Sequence, residues 1–93
     1  MAIEFEWDRE KAETNLARHG VPFSEATTVF DDPLSLTTPD RTHSVGEERF
    51  WIIGHSARHR LLVVAHSDDG EVARIISARL ATAHERQTYE QSN

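Results

Sequence analysis

The 93-residue chain contains no cysteine. This absence excludes a disulfide scaffold, a thiolate zinc site and a cysteine nucleophile. The sequence also lacks any apolar run approaching the roughly 18 residues that span a bilayer, and its acidic beginning has no signal-peptide pattern. We therefore expect a cytoplasmic protein without membrane contact. The length predicts a single small domain over residues 1–93.

Lysine is almost absent, since Lys11 is the only one beside nine arginines. Residues 1–40 carry nine acids and three bases, whereas residues 41–93 carry seven of each, so the net charge of −6 belongs to the first part. Arginine binds phosphate or carboxylate with a planar two-pronged fork. The pattern predicts a local arginine groove on an acidic body. It does not suit a protein that coats DNA alone, because each phosphate contact needs a cation.

The apolar periodicities and turn signals predict an α+β fold with the element order β-α-α-β-β-β-β-α. Asp8 is placed to cap the first helix and Gly20 to end it, while Thr82 and Glu85 form a capping box for the last one. We expect an antiparallel sheet over residues 34–77 with the helices packed on one face. The predicted strands are 3–7, 34–38, 49–53, 60–66 and 72–77, and the predicted helices are 9–19, 22–30 and 83–91.

Two histidine patterns could carry chemistry. His19 ends the first helix, near Lys11 on a neighbouring turn, where it could act as a general acid or as a C-terminal cap. His55 and His59 have a spacing that binds metals when both lie on one helix face. Because they fall in a predicted turn without a nearby acidic ligand, we interpret them as solvated and predict no metal site.

Three arginines could form a phosphodiester site on the sheet. Arg74 lies within an otherwise apolar strand, and an arginine there needs an anionic partner or a solvated groove. Arg79 follows at the end of the same strand, and Arg49 begins another strand that could present it on the same face. The alternative is internal ion pairing with Glu47 and Glu48.

These residues together form a pattern that resembles the BrnT family of type II toxins over nearly the whole chain. The resemblance rests on Trp7-Asp8, on His19-Gly20, and above all on the run Arg74-Ile75-Ile76-Ser77-Ala78-Arg79 with Glu85-Arg86 and Tyr89 after it. It implies a RelE-like ribonuclease fold, RNA cleavage and a block of translation. It also implies a neutralising BrnA-like antitoxin with a ribbon-helix-helix part, which forms a hetero-oligomer with the toxin and represses their operon.

The resemblance suggests roles that suit RNA cleavage without a metal or other cofactor. This reaction needs a base for the 2′-OH proton, an acid for the leaving oxygen and cations around phosphorus. Lys11 and His19 would transfer protons, and the three arginines would supply charge. The predicted RNA-binding residues are Trp7, Arg86 and Tyr89, with Trp7 or Tyr89 stacking a base. The alternatives are a core position for Trp7 and a packing role for Tyr89 under the last helix.

The chain departs from the family pattern at Asp68-Asp69, where a Glu-Arg pair is expected after the fourth strand. Replacing a basic residue near the site by an acid predicts weaker catalysis. The alternative function is therefore a weak or inactive toxin fold that binds its antitoxin and acts as a corepressor.

Overall fold

A computed structural model describes residues 3–43 and 46–92. The observed order confirms the predicted one, except that the second helix is a short α-helix followed by a 3-10 helix. The strands are β1 (Glu4–Trp7), β2 (Leu36–Pro39), β3 (Arg49–His55), β4 (Leu61–Asp68) and β5 (Val72–Leu80). The helices are α1 (Arg9–His19), α2 (Phe23–Ala26), the 3-10 helix (Thr27–Asp31) and α3 (Ala83–Gln91).

The five strands form one sheet in the order β1-β5-β4-β3-β2. Strands β2 to β5 are antiparallel, as predicted for this region, and Gly70 takes a positive φ of 95° in the turn between β4 and β5. Strand β1 is the difference, because it pairs in parallel with β5. The sheet is therefore mixed and mostly antiparallel. Local sequence patterns predict that β1 is a strand but contain no information about a partner almost 70 residues away.

Helices α1 and α2 and the 3-10 helix pack on one side of the sheet, which we call the covered face. Helix α3 instead contacts the other side, where Glu85 pairs with Arg79, so the prediction that the helices share one face is wrong. The buried core lies on the covered face, and its largest members include Phe23 from α2, Leu62 from β4 and Ile75 from β5. Residues directly opposite each other on neighbouring strands point to the same side of a sheet. The register therefore assigns every other strand residue to the opposite side, which we call the open face.

A β-bulge in β5 decides which residues reach the open face. Ala65 pairs with Ser77 and His66 pairs with Ile75, so Ile76 is an extra residue without a direct partner on β4. Such a residue changes the alternation of the strand that contains it. As a result Arg74 and Ser77 both lie on the open face, although a regular strand would send residues three apart to opposite sides.

A buried ion pair fixes the turn between β3 and β4 against α2. Glu25 is 5% exposed and accepts hydrogen bonds from Arg60 Nε at 2.9 Å and from Ser56 Oγ at 2.7 Å. Arg60 Nη2 also donates to the second Glu25 oxygen and to the carbonyl of Gly20. The hydrogen bond from Arg60 lowers the pKa of Glu25, against the opposing effect of burial. The carboxylate is thus held ionised beneath the surface.

Candidate active site

A row of polar residues crosses the open face near the β4–β5 turn. Arg49 lies opposite Ser67, Ser67 lies opposite Arg74, and Arg74 lies opposite Glu6. We call these four residues the basic row. Arg79 is on the same face, opposite Val63. Since Val63 and Ser67 are four residues apart on β4, Arg79 is displaced from the basic row by about 13 Å along the strand.

Arg74 and Arg79 both form ion pairs within the protein. Arg74 Nη1 lies 3.2 Å from Glu6 Oε1, and both side chains are about half exposed. Arg79 binds Glu85 of α3 with two hydrogen bonds of 2.7 and 2.9 Å. The two arginines thus pair internally, but with Glu6 and Glu85 rather than with Glu47 and Glu48, which the alternative interpretation named. The hydrogen bonds from Arg79 lower the pKa of Glu85 to about 2, despite partial burial.

The predicted proton-transfer residues lie in a groove of about 400 Å³ between α1 and β5. Lys11 and His19 line it from one side of α1, and Ile76 and Ser77 line it from the bulge of β5. Eight residues on a helix separate the two Cα atoms by about 12 Å along its axis. The cap of this helix is Gly20, which takes a φ of 69° and donates its N–H to Leu16. His19 is therefore not needed for capping.

Asn15 lies between Lys11 and His19 and holds α1 against β5. It is 5% exposed. Its Nδ2 donates to the carbonyls of Val21 and Ala78 at 3.0 and 2.8 Å, and its Oδ1 accepts from the N–H of Ala78 at 3.0 Å. Since residues four apart share one side of a helix, Asn15 fixes the orientation of the side that carries both predicted catalytic groups.

Ser77 is where the groove and the open face meet. It lines the groove beside Lys11 and His19, and its register places it on the same face as Arg74 and Arg79. Sequence reasoning did not select Ser77, although it lies within the Arg74–Arg79 run. Nor did it select Asn15 for a role, although the four-residue spacing of Lys11, Asn15 and His19 was the available signal.

The three predicted RNA-binding residues lie apart from one another. Trp7 is 39% exposed and packs edge-on against Phe23 on the covered side, in an apolar groove beside α1. Arg86 is exposed on α3. Tyr89 is 5% exposed, and its hydroxyl donates to Asp32 Oδ2 at 2.6 Å. A base could stack on Tyr89 only if this contact opened. Tyr89 is therefore in the position of its alternative role, which is packing under the last helix.

Burial, followed by the hydrogen bond to Asp32, raises the pKa of Tyr89 to about 12. The Tyr89 ring also meets the ring of His55 edge-on, with centroids 5.2 Å apart. His55 ends β3 and its backbone N–H donates to Asp32. His55 thus lies at the end of a strand rather than in the turn, but its side chain is exposed, as expected for a solvated residue. His59 lies in the exposed turn with a φ of 62°.

Asp68 and Asp69, where the chain departs from the family pattern, form hydrogen bonds within the β4–β5 turn. Asp68 Oδ1 accepts from the N–H of Gly70 at 2.7 Å, and Asp69 Oδ1 accepts from the N–H groups of Glu71 and Val72. Carboxylates that bond the backbone a few residues ahead are typical of tight turns. These two residues therefore have a structural use at this position.

A family model described as the ribonuclease toxin BrnT of type II toxin–antitoxin systems matches residues 7–85. The chain belongs to the BrnT toxin family. The match begins at Trp7 and ends at Glu85, so it includes both the α1 groove and the open face. Membership in a type II system implies an antitoxin partner.

A solved structure supports the fold independently. The 1.1 Å crystal structure of the Brucella abortus ribonuclease toxin BrnT superimposes with a TM-score of 0.68 at 23% identity, over 87% of this chain and 99% of that one. No curated protein matches the chain. Among residues 3–43 and 46–92, no helix is both long and apolar enough to cross a membrane.

Proposed function

We propose that this BrnT-family chain is a metal-independent endoribonuclease toxin that cleaves RNA and thereby inhibits translation. The observation that carries the proposal is the position of Ser77. There a groove containing Lys11 and His19 opens onto a sheet face that carries Arg74 and Arg79. A phosphodiester at this point would have proton-transfer groups on one side and cations on the other.

The chemistry uses the ribose 2′-OH as an internal nucleophile. The 2′-oxygen bonds to phosphorus while the bond from phosphorus to the 5′-oxygen breaks. The 2′-OH proton passes to one of Lys11 and His19, and the other supplies a proton to the leaving 5′-oxygen. Arg49 and Arg74 in the basic row stabilise the negative charge that develops around phosphorus, and Arg79, which keeps its pair with Glu85, contributes only through its remaining N–H donors. Arg86 on α3 would contact flanking phosphates.

The partner that we propose is a BrnA-like antitoxin with a ribbon-helix-helix part. It would form a hetero-oligomer with this chain in the cytoplasm and provide the contact with operator DNA. The net charge of −6 supports this division, because it disfavours extended, sequence-independent binding of the chain to DNA.

The test is RNA cleavage by purified protein in EDTA. His19→Gln and Arg74→Ala should each lower the cleavage rate by about 100-fold or more, since loss of an acid–base group or of a charge-stabilising donor costs this much. Arg9→Ala is the matched control, because Arg9 is an exposed arginine on the other side of α1 and should leave cleavage unchanged. Growth arrest on induction should be strong for wild type and Arg9→Ala and weak for His19→Gln and Arg74→Ala. It should disappear when the antitoxin is co-expressed.

Intact RNA with folded wild-type protein would overturn the ribonuclease proposal. If such a protein still changed operator binding by its antitoxin, the corepressor alternative would replace it. Equal loss of activity in Arg9→Ala and Arg74→Ala would show that total charge matters rather than the open face.

A further inference from the structure

A pocket of about 380 Å³ lies on the open face between β2, β3, β4 and α3. Its floor comes from Leu36, Trp51, Ile53 and Val63, and its rim includes Arg79 and Glu85. We call this the Trp51 pocket. The floor residues occupy two neighbouring rows of the sheet, since Leu36 pairs with Ile53, which pairs with Val63, while Trp51 belongs to the next row. Because the floor is apolar and includes the flat ring of Trp51, it suits an occupant with an apolar, planar surface.

The rim offers a hydrogen-bond donor and acceptor side by side. Glu85 Oε1 accepts from Arg79 Nη1 and from the N–H of Thr82, which occupies both of its lone pairs. Glu85 Oε2 accepts from Arg79 Nη2 at 2.9 Å and retains one acceptor site. Nη2 carries a second N–H, for which no acceptor is found among the described residues. The pair thus presents a donor next to an acceptor at the edge of an apolar pocket.

We propose that the Trp51 pocket binds one unstacked nucleobase of the RNA substrate. The proposal rests on the proposed ribonuclease function for its biological meaning. Single-stranded RNA is commonly recognised by bases that lie on aromatic or apolar side chains of an open sheet, with their edges hydrogen-bonded. The Watson–Crick edge of every unpaired base carries a neighbouring donor and acceptor, so Glu85 and Arg79 can complement each of them. The pocket therefore detects the presence of a base and tolerates several sequences.

The basic row lies at a suitable distance for the phosphate of the same strand. Trp51 and Arg49 are two residues apart on β3, which places their rows about 7 Å apart. A ribose can bridge a phosphate on the basic row and a base over Trp51. The guanidinium carbon of Arg79 lies 5.9 Å from the centroid of the Trp51 ring, so the rim donor is adjacent to the aromatic surface on which the base would lie.

The chain has two tryptophans, and they provide a matched comparison. Trp51 is in the pocket, whereas Trp7 lies on the covered side. In a Trp7→Phe background, Trp51 is the only tryptophan, so its fluorescence reports on the pocket directly. We expect millimolar adenosine, guanosine, cytidine or uridine to quench it saturably, while ribose does not. Equal responses to nucleosides and ribose would overturn the proposal, whether or not the protein cleaves RNA.

The second measurement replaces single bases of a short RNA substrate by abasic residues. For wild-type protein, the abasic residue at one position relative to the cleavage site should slow cleavage by about 5- to 150-fold, the usual effect of losing one stacked base. Trp51→Leu should remove this position-specific effect, and Leu16→Ala, at an exposed apolar residue of α1 outside the pocket, should preserve it. A flat abasic scan with active wild-type enzyme overturns the base pocket and leaves the ribonuclease proposal intact. If the wild-type protein is inactive but nucleosides quench Trp51 saturably, the ribonuclease proposal is overturned and the base pocket is retained.

If Trp51→Leu does not fold, Thr88→Leu takes its place, because Thr88 lines the pocket, is exposed on α3, and a longer side chain there would occupy the space of the base. It should weaken nucleoside quenching without changing the far-ultraviolet circular dichroism spectrum. Unchanged quenching in this variant, together with unchanged abasic sensitivity, would place the base elsewhere.

Discussion

Asn15 forms hydrogen bonds with a part of the β5 edge that β1 does not pair with. We expect its replacement to lower the free energy of unfolding more than most single substitutions do. Strand β1 ends at Trp7, opposite Ile75. Beyond that point the Asn15 amide satisfies both backbone groups of Ala78 and the carbonyl of Val21 with bonds of 2.8 to 3.0 Å. The side chain thus substitutes for a strand while it also attaches α1 to the sheet.

The magnitude follows from three lost hydrogen bonds. Each contributes about 0.5–1.5 kcal/mol to stability, and a buried partner left unpaired costs about 1–3 kcal/mol. Asn15→Ala should therefore lower the free energy of unfolding by about 3 kcal/mol or more. For a domain of this size that corresponds to a fall in Tm of about 12–24 °C. Asn15→Asp should cost more, because a carboxylate oxygen would face the carbonyls of Val21 and Ala78.

The assay is urea unfolding followed by circular dichroism, with Thr14→Ala as the control. Thr14 is the exposed neighbour on the same helix, and its change should stay within about 0.5 kcal/mol. A loss below about 1 kcal/mol for Asn15→Ala would refute the reasoning, since it would show that water replaces the amide at no cost. Cleavage by the variant should also fall at temperatures where it remains folded, because Lys11 and His19 share its side of α1.

Three further changes test the charged and titratable groups. Glu85→Gln should lower the free energy of unfolding by about 1–2 kcal/mol at pH 7. This is less than the shift in the pKa of Glu85 would give in full, because its pair with Arg79 is about one-third exposed and screened by solvent. Since the pKa of Glu85 falls from 4.5 to about 2, this wild-type advantage is present above about pH 4.5 and lost as pH falls toward 2, which acid unfolding curves would reveal. Burial lowers the pKa of His66 below 6.5, so the unfolded chain takes up this proton first and stability declines below about pH 6.5. His66→Phe should flatten the change in Tm between pH 7.5 and 5. Glu25→Gln should cost about 3 kcal/mol in urea unfolding, because it breaks a buried pair with Arg60.

The order of elements could be predicted from the sequence because its signals are local. The caps at Asp8 and Thr82 both form, and the turn at Gly70 has the positive φ that an Asp-Gly sequence favours. The parallel pairing of β1 with β5 could not be predicted in the same way. It depends on which sheet edge remains free after β2 to β5 have assembled, and residue patterns within β1 do not record that.

The candidate site was only partly predictable for a related reason. The four-residue spacing of Lys11, Asn15 and His19 places them on one side of α1, and the structure shows this. The open-face positions of Arg74 and Ser77 depend instead on the bulge at Ile76. Simple alternation would have separated them. A bulge arises from pairing with β4, so strand periodicity in β5 alone does not reveal it.

The arginines of the open face differ in how readily RNA could bind them. The pair between Arg74 and Glu6 is exposed on both sides, and such pairs contribute about 0–1 kcal/mol, so a phosphate can replace Glu6 at little cost. The pair between Arg79 and Glu85 has two hydrogen bonds and is joined to the capping box of α3, so opening it would also weaken the start of that helix. We therefore expect phosphate to bind the basic row, while Arg79 keeps its carboxylate and offers only its remaining donors. On this reasoning a chain of net charge −6 can bind RNA because a phosphate can replace Glu6 on Arg74 at little cost. RNA binding then depends on this local exchange and not on the total charge.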